Sequence, residues 1–329
     1  MWHFYASEHE PPSLSATTML RLLLSVAVAA LAVAQSDIPV SKPLQKILDK
    51  AGTGIYTYPT ALTQGIIPKP LHSHNDYWRP VPFYSALSVG AVSVEADVSL
   101  INGTLYVGHE ISALTPERTF DSLYIQPILS VIRAQNPNTS FVTSPTPNGV
   151  FDTSSGQTLY LWVDVKTDGA TTFPYVIKAL KPLRDAGYLT TVNGSNVISG
   201  PVTVIGTGNT PLNQVQGVNQ RDYFWDAPLA TLNSTFSNIT SIVSPIASTD
   251  FAVVFGNVRN QTFNDTQLDT LKSQVATAHG KSIGVRYWDQ PGWPVGTRNA
   301  VWRTLYDNGV DLLNVDDIEG AANFWDASG

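Results

Sequence analysis

A chain of 329 residues, 43% hydrophobic and 14% charged, has the makeup of a folded globular protein, and its length suits one large domain or two ordinary ones. The net charge of −7 argues against nucleic acid as a partner and against electrostatic docking on anionic membranes, but a phosphate ester can still be held through a bridging cation. Cysteine is absent, so disulfides, thiolate zinc sites and cysteine nucleophiles are excluded.

Residues 1–18 are polar and proline-containing, unlike a signal start. Met19-Leu20-Arg21 then supplies a short basic region, Leu22 to Val33 an apolar run too short to span a bilayer comfortably, and Ala32-Val33-Ala34 a cleavage pattern before Gln35. The expectation is a signal peptide over 1–34 with an upstream extension, Met19 as the alternative start, and export to the extracellular space. A membrane anchor is the competing reading, although no second apolar segment of spanning length follows. Sequons at Asn102, Asn138, Asn193, Asn233, Asn238, Asn260 and Asn264 agree with the secretory route. Residues 35–67 read as an arm with one short helix, Pro43–Ala51.

From residue 68 to 329, short apolar or β-branched runs ending in polar residues alternate with longer amphipathic stretches, the pattern of repeated βα units. Candidate strands are Pro70–Ser73, Ala91–Val98, Thr158–Val165, Val202–Gly206, Asp222–Trp225, Phe251–Phe255, Ser282–Tyr287 and Asp311–Val315. Eight such segments suit an α/β fold of the (β/α)8 TIM-barrel type. Candidate helices are Phe83–Ser88, Phe120–Ala134, Tyr175–Ala186, Asp265–His279 and Thr297–Asn308. In Asp265–His279 the residues Leu268, Leu271, Val275 and Ala278 share one face, and Gly280 supplies the stop. The Pro-, Thr-, Ser- and Asn-rich stretch Asn136–Ser155 reads as a surface loop near the site.

Chemistry concentrates between Leu71 and Glu110. Glu95 and Asp97 interrupt a run that otherwise reads as a buried strand, a costly placement unless a charge such as a metal ion lies between them. Alternation along a strand puts both carboxylates on one face. The same spacing recurs in His72 and His74, and in Asp164 and Lys166. With Trp288 and Asp289, and Asp316 and Asp317, these groups fall at the C-terminal ends of candidate strands, where barrel enzymes carry their catalytic residues. Asp316 and Asp317 read as structural, His279 as a helix C-terminal cap, and Trp293, Trp302 and Trp325 as packing.

The run Ser-Val-Glu-Ala-Asp-Val (93–98), with Gly103 and Gly108-His109-Glu110, resembles the glycerophosphodiester phosphodiesterase pattern of the phospholipase C-like barrel superfamily. His-Ser-His-Asn-Asp-Tyr-Trp (72–78), Leu-Tyr-Val-Gly-His (105–109) and Gly-Val-Asp-Leu-Leu-Asn-Val-Asp-Asp (309–317) are most similar to fungal altered-inheritance-of-mitochondria proteins, over roughly 68–326. The resemblance implies Glu95, Asp97 and Asp164 as ligands of one divalent cation, Mg²⁺ or Ca²⁺. It implies His109 and one of His72 and His74 as the acid–base couple, with His-x-x-Asn spacing favouring His72, and Lys166 on the phosphate. Asn75 and Trp288 are further substrate-binding candidates. Asp164 is closer to the sphingomyelinase D pattern than to the usual Glu, and His-Ser-His-Asn replaces the family's His-Arg-Gly, which removes a phosphate-binding arginine.

Phosphodiester cleavage needs charge neutralised on the non-bridging oxygens and two protons managed, which a hard cation, an ammonium group and two histidines can do. The expected function is a secreted, metal-dependent phosphodiesterase, hydrolytic or cyclising, for glycerophosphodiesters or lysophospholipid-like substrates. The alternatives are an inactive barrel serving as a binding or cell-wall protein, and a metal-dependent amidohydrolase, which needs further histidines near strands five and six. A small-molecule or lipid substrate is the only partner implied.

Overall fold

The structure is a computed structural model that describes residues 58–142 and 147–327, with Lys42, Pro43, Lys46, Asp49, Lys50 and Gly54 ahead of them. The expected signal peptide, its extension, the body of the helix 43–51 and the Trp325 side chain lie outside the described residues.

Strands follow in the order β1 (Lys69–Ser73), β2 (Ala91–Ile101), β3 (Thr104–Val107), β4 (Leu159–Val165), β5 (Thr191–Asn193), β6 (Asn196–Ile198), β7 (Val202–Gly208), β8 (Gln220–Arg221), β9 (Phe224–Trp225), β10 (Ala227–Pro228), β11 (Ile246–Asp250), β12 (Gly284–Trp288) and β13 (Leu312–Val315). The main sheet runs β10-β11-β12-β13-β1-β2-β4-β7-β9, and each of these pairings is parallel. The two ends of that list, β9 and β10, are separated by Asp226 alone. They are halves of one strand that pairs with β7 on one side and β11 on the other. The ring therefore closes with eight staves, the TIM barrel that the alternation of elements implies.

Burial follows that closure. The first nine residues of β2 are buried on both faces, as in a parallel strand covered by the barrel interior and by helices. Val94, Ala96, Val98, Leu161 and Val163 alternate with the polar interior residues and join a core with Ile128, Ile132, Phe173 and Val176 from the flanking helices. At the β2–β3 turn, Asn102 and Gly103 both have positive φ (50° and 81°), which suits a tight hairpin. β5, β6 and β8 form a separate small antiparallel sheet.

Several expectations need correction. Phe251–Phe255 is a helix, because the Asp250 side chain accepts from Val253 N at 2.8 Å and caps it, and the sixth stave is Ile246–Asp250. That strand's Ala-Ser-Thr centre hides it from a search for apolar runs. The fifth stave starts at Phe224 and not at Asp222. The helix expected over 175–186 begins at Gly169, capped by Asp168, and a second short helix, Lys181–Asp185, follows it. The described residues of the 136–155 stretch, 136–142 and 147–155, are not near the site: they lead into the N-terminal end of β4, and Asp152 accepts hydrogen bonds from Thr60, Thr63 and Gln135 at that end of the barrel. His279 ends its helix as expected, in the last turn before the C-cap Gly280, and its Nε2 also lies 2.8 Å from Asp311 Oδ2. Trp302 is buried as expected, whereas Trp293 is 79% exposed and packs no core.

Candidate active site

Because Cβ atoms alternate, each strand sends every second side chain into the barrel, and the polar ones gather in its upper layers. β1 supplies His72 and leads into His74 and Asn75; β2 supplies Ser93, Glu95 and Asp97; β4 supplies Trp162 and Asp164, leading into Lys166. Asp97 pairs in register with Asp164, and Asp164 with Thr207. His109 follows the β2–β3 hairpin, whose return path brings Gly108 N to Asp97 O at 3.1 Å.

Oxygen atoms of Glu95, Asp97 and Asp164 all lie within 4.8 Å of one another. Asp97 Oδ2 accepts from Tyr77 (2.8 Å) and His109 Nδ1 (2.9 Å), with Lys166 Nζ at 3.0 Å. Its other oxygen, Oδ1, is buried without a partner among the described residues. A buried carboxylate oxygen left unpaired costs on the order of 1–3 kcal/mol or more, so this atom points to a cation as its natural partner. Oxygen-only ligands without thiolate or imidazole suit Mg²⁺ or Ca²⁺ better than zinc. The three carboxylates thus fit the cation that the sequence implies.

Electrostatics separate the acids. Burial works against the charge on Glu95, but His72 together with the charges of Arg286 and His74 more than offsets it and holds the carboxyl well below its usual range. Its Oε2 also accepts from Asn75 N at 3.1 Å. For Asp164, burial wins: despite Lys166 at 2.8 Å its carboxyl is pushed up to about 6, with the charge of Asp97 adding to the effect. Lys166, although desolvated, is held above its normal value by Asp164 and Asp97.

The three histidines occupy different environments. His72 is fully buried and both ring nitrogens are engaged, Nδ1 with Ser93 Oγ and Nε2 with Arg286, each at 2.7 Å. Arginine can only donate, so Nε2 is the acceptor and Nδ1 carries the proton. Burial, reinforced by the Arg286 charge, pushes His72 down to about 3. His74 donates from Nδ1 to Asp316 Oδ1 at 2.8 Å, and its Nε2 lies 3.8 Å from Glu95 Oε2. Burial lowers its basicity, but Asp316 and Glu95 outweigh that and raise it overall. His109 uses Nδ1 on Asp97, and the Nε2 of its half-exposed ring lies 3.8 Å from Glu110 Oε1. His74 and His109 therefore share one arrangement, in which a carboxylate orients the ring and Nε2 is available to substrate.

Every sequence-derived candidate on β1, β2 and β4 thus enters one cluster. Trp288 closes β12 at the same end of the barrel and is 37% exposed. Two contributors, Tyr77 and Arg286, were not singled out from sequence, and a third, Asp316, was read as structural. Asp316 orients His74 and is more than structural. Tyr77 bonds both Asp97 and Asn75. Arg286, buried on β12, lies 4.2 Å above the Trp162 ring, donates to Asn314 at 2.9 Å and caps His72. The signal for Arg286 was present: a charged residue inside the apolar strand Gly-Val-Arg-Tyr-Trp is as costly as Glu95 and poses the same question. The seven sequon asparagines are all exposed, Asn264 also capping a helix through its side chain.

Gly208 is part of the site's scaffold. Its φ is +61°, and a Cβ there would fall 2.0 Å from Asp164 Oδ1. Gly208→Ala is expected to displace Asp164 and weaken divalent-cation binding at least about 10-fold, in line with disturbing the support of a metal ligand. Isothermal titration with Mg²⁺ and Ca²⁺ checks this; unchanged affinity would remove Asp164 from the ligand set.

A family model described as AIM6-like phosphodiesterase domain matches residues 60–226. The altered inheritance of mitochondria protein 6 homolog of Arthroderma benhamiae is 53% identical over 315 residues, covering 92% of this chain and 99% of that protein. The altered inheritance of mitochondria protein 6 of Eremothecium gossypii is 36% identical over 269 residues, 77% of this chain and 69% of that protein. Among solved structures, a glycerophosphodiester phosphodiesterase from Parabacteroides distasonis aligns with 80% of this chain and 100% of its own at a TM-score of 0.43 and 10% identity.

Proposed function

The chain belongs to the AIM6-like phosphodiesterase family, and from that premise we propose that it is a secreted, metal-dependent phosphoric diester hydrolase acting on glycerophosphodiesters or lysophospholipid-like substrates. The observation that carries this reading is the convergence of three carboxylates, one with a buried oxygen unpartnered among the described residues, on two histidines that are each oriented by a carboxylate through Nδ1 and whose Nε2 atoms have only a carboxylate 3.8 Å away.

Glu95, Asp97 and Asp164 would hold one Mg²⁺ or Ca²⁺, with the Asn75 side chain beside them. Such an ion neutralises charge that develops on the phosphate's non-bridging oxygens. Lys166 adds an ammonium to the same face and binds the phosphate. His74 and His109 divide the two proton transfers: one takes the proton of the nucleophile at its Nε2, the other gives a proton to the leaving alcohol. The nucleophile is water, or a hydroxyl of the substrate when the product is cyclic. His72, neutral and fully engaged, positions the layer beneath. Trp288 lines the approach to the site.

The test is turnover by the secreted, chelator-stripped protein on glycerophosphocholine, lysophosphatidylcholine and bis(p-nitrophenyl) phosphate, with Mg²⁺, Ca²⁺ or Mn²⁺ restored. Added metal is expected to recover activity, and Glu95→Gln to lower it by about 10²-fold or more. A folded protein that binds metal and turns over none of these would establish the inactive barrel instead. Metal affinity has a predictable pH dependence. Asp164 must be ionised to act as a ligand, and its carboxyl titrates at about 6. Affinity is therefore expected to hold above that pH and to fall roughly tenfold per unit below it, as protons compete for the ligand. Titrations at pH 5 and 7.5 that agree would exclude Asp164 from the site.

A further inference from the structure

The loops around the barrel mouth carry exposed apolar side chains outside the core, among them Trp78, whose ring also meets the edge of Tyr77 at 5.9 Å between centroids. Val253 (80% exposed) lies in the helix directly after β11, Trp293 (79%) in the loop after β12, Trp78 (64%) in the loop after β1, and Ile111 (69%) beyond the β2–β3 hairpin. In the ring, β11, β12, β13, β1 and β2 are consecutive neighbours, so these residues form an arc along one side of the rim. Val81 and Val295, also exposed, extend the same loops. Solvated tryptophans at loop tips are costly for a chain that leaves them in water, and their amphipathic rings suit the boundary between lipid headgroups and acyl chains.

We propose that this arc seats the barrel mouth on a zwitterionic phospholipid surface, with Trp78 and Trp293 as its anchors. Charge selects the lipid class. The rim between these residues exposes the carboxylates Glu110, Asp289, Asp316 and Asp317 against the cations Arg298, which is paired with Asp317, and Arg79, which bonds the backbone O of Asp316 and keeps its charge, so that carboxylates outnumber arginines there. Together with a net charge of −7, that pattern repels an anionic surface and leaves apolar insertion as the driving force. The phosphodiester site opens within the same rim, so a docked molecule would meet phospholipid-derived substrate where it is richest. The proposal takes its setting from the phosphodiesterase reading but requires no turnover.

The experiment is sedimentation of the secreted, full-length protein with phosphatidylcholine vesicles and, separately, with phosphatidylserine vesicles. Wild type is expected to sediment with phosphatidylcholine, and quenching of its fluorescence by bromine-labelled acyl chains is expected to report insertion of tryptophan. The double variant Trp78→Ala/Trp293→Ala should lose binding by roughly 10-fold or more, and Trp293→Ala alone should lose part of it. Hydrolysis of soluble glycerophosphocholine by both variants should stay within about twofold of wild type, which also establishes that they are folded. Wild type left in the supernatant, a double variant that sediments as wild type does, or binding confined to phosphatidylserine would each overturn the proposal. Vesicle binding without activity on any substrate would retain the docking surface and refute the phosphodiesterase.

Discussion

Alanine at His74 or at His109 is expected to lower turnover about 10²–10⁴-fold, the usual worth of a positioned acid or base, whereas alanine at His72 is expected to act mainly on stability. Spacing alone favoured His72, and the difference lies in what each ring touches. His74 and His109 carry no hydrogen bond on Nε2 among the described residues and are reachable from the mouth, so added imidazole should restore part of the activity of His74→Ala and His109→Ala. His72 has no exposed surface, a basicity pushed down to about 3, and both nitrogens occupied. Its removal takes from the buried Arg286 one of its two side-chain acceptors and leaves only Asn314, a loss of about 1–3 kcal/mol at a place that imidazole in solution cannot reach. Kinetics with and without imidazole, together with thermal melts, separate the two roles. A folded His74→Ala with wild-type turnover would return the proton transfer to His72.

The second large effect is expected at Arg286. It is the buried cation among His72, Glu95 and Asp226, and its charge helps to keep Glu95 ionised. Asp226 is itself desolvated: burial raises its carboxyl while Arg286 opposes that, and Thr207 and Ser248 bond its Oδ2 at 2.8 and 2.6 Å. Arg286→Met removes the compensation but little of the volume, and is expected to cost about 3–5 kcal/mol of stability near neutral pH. The sign with pH follows from linkage. Without the cation the Asp226 carboxyl, already raised by burial, rises further above its unfolded value, and Glu95 loses one of the charges that hold it down, so the variant is least impaired below the unfolded range near pH 4 and falls further behind as pH rises. Thermal denaturation should therefore show a wider gap from wild type at pH 8 than at pH 5. Equal gaps would mean that Arg286 matters through packing on Trp162 alone.

The sequence carried those parts of the site in which charge contradicts its surroundings. Glu95, Asp97 and Asp164 were legible because each sits in an apolar strand with two-residue periodicity, and a parallel strand makes that contradiction expensive. Asp316 was not, because an acid at a strand end looks like ordinary surface until the ring closes and brings β13 beside β1, placing it 2.8 Å from a histidine 242 positions away. The fold was legible wherever a strand is a continuous apolar run. Ile246–Asp250 escaped because Ala, Ser and Thr serve as well as Val or Ile once a strand is walled in on both sides. Phe251–Phe255 misled because five apolar residues carry too little periodicity to tell strand from helix, and the capping aspartate before them decides the matter.

The closed ring has one thin stave. β9 and β10 contribute two residues each, and Asp226 interrupts them, whereas their neighbours β7 and β11 run for seven and five. A closed barrel protects itself from self-association by having no strand edges to offer. Should this stave detach under heat or mild acid, two edges appear at once, one of them the fully formed β7. Aggregation of partly opened molecules would then start at that gap, and strengthening the stave, more than enlarging the core, is the way to a protein that tolerates storage and concentration.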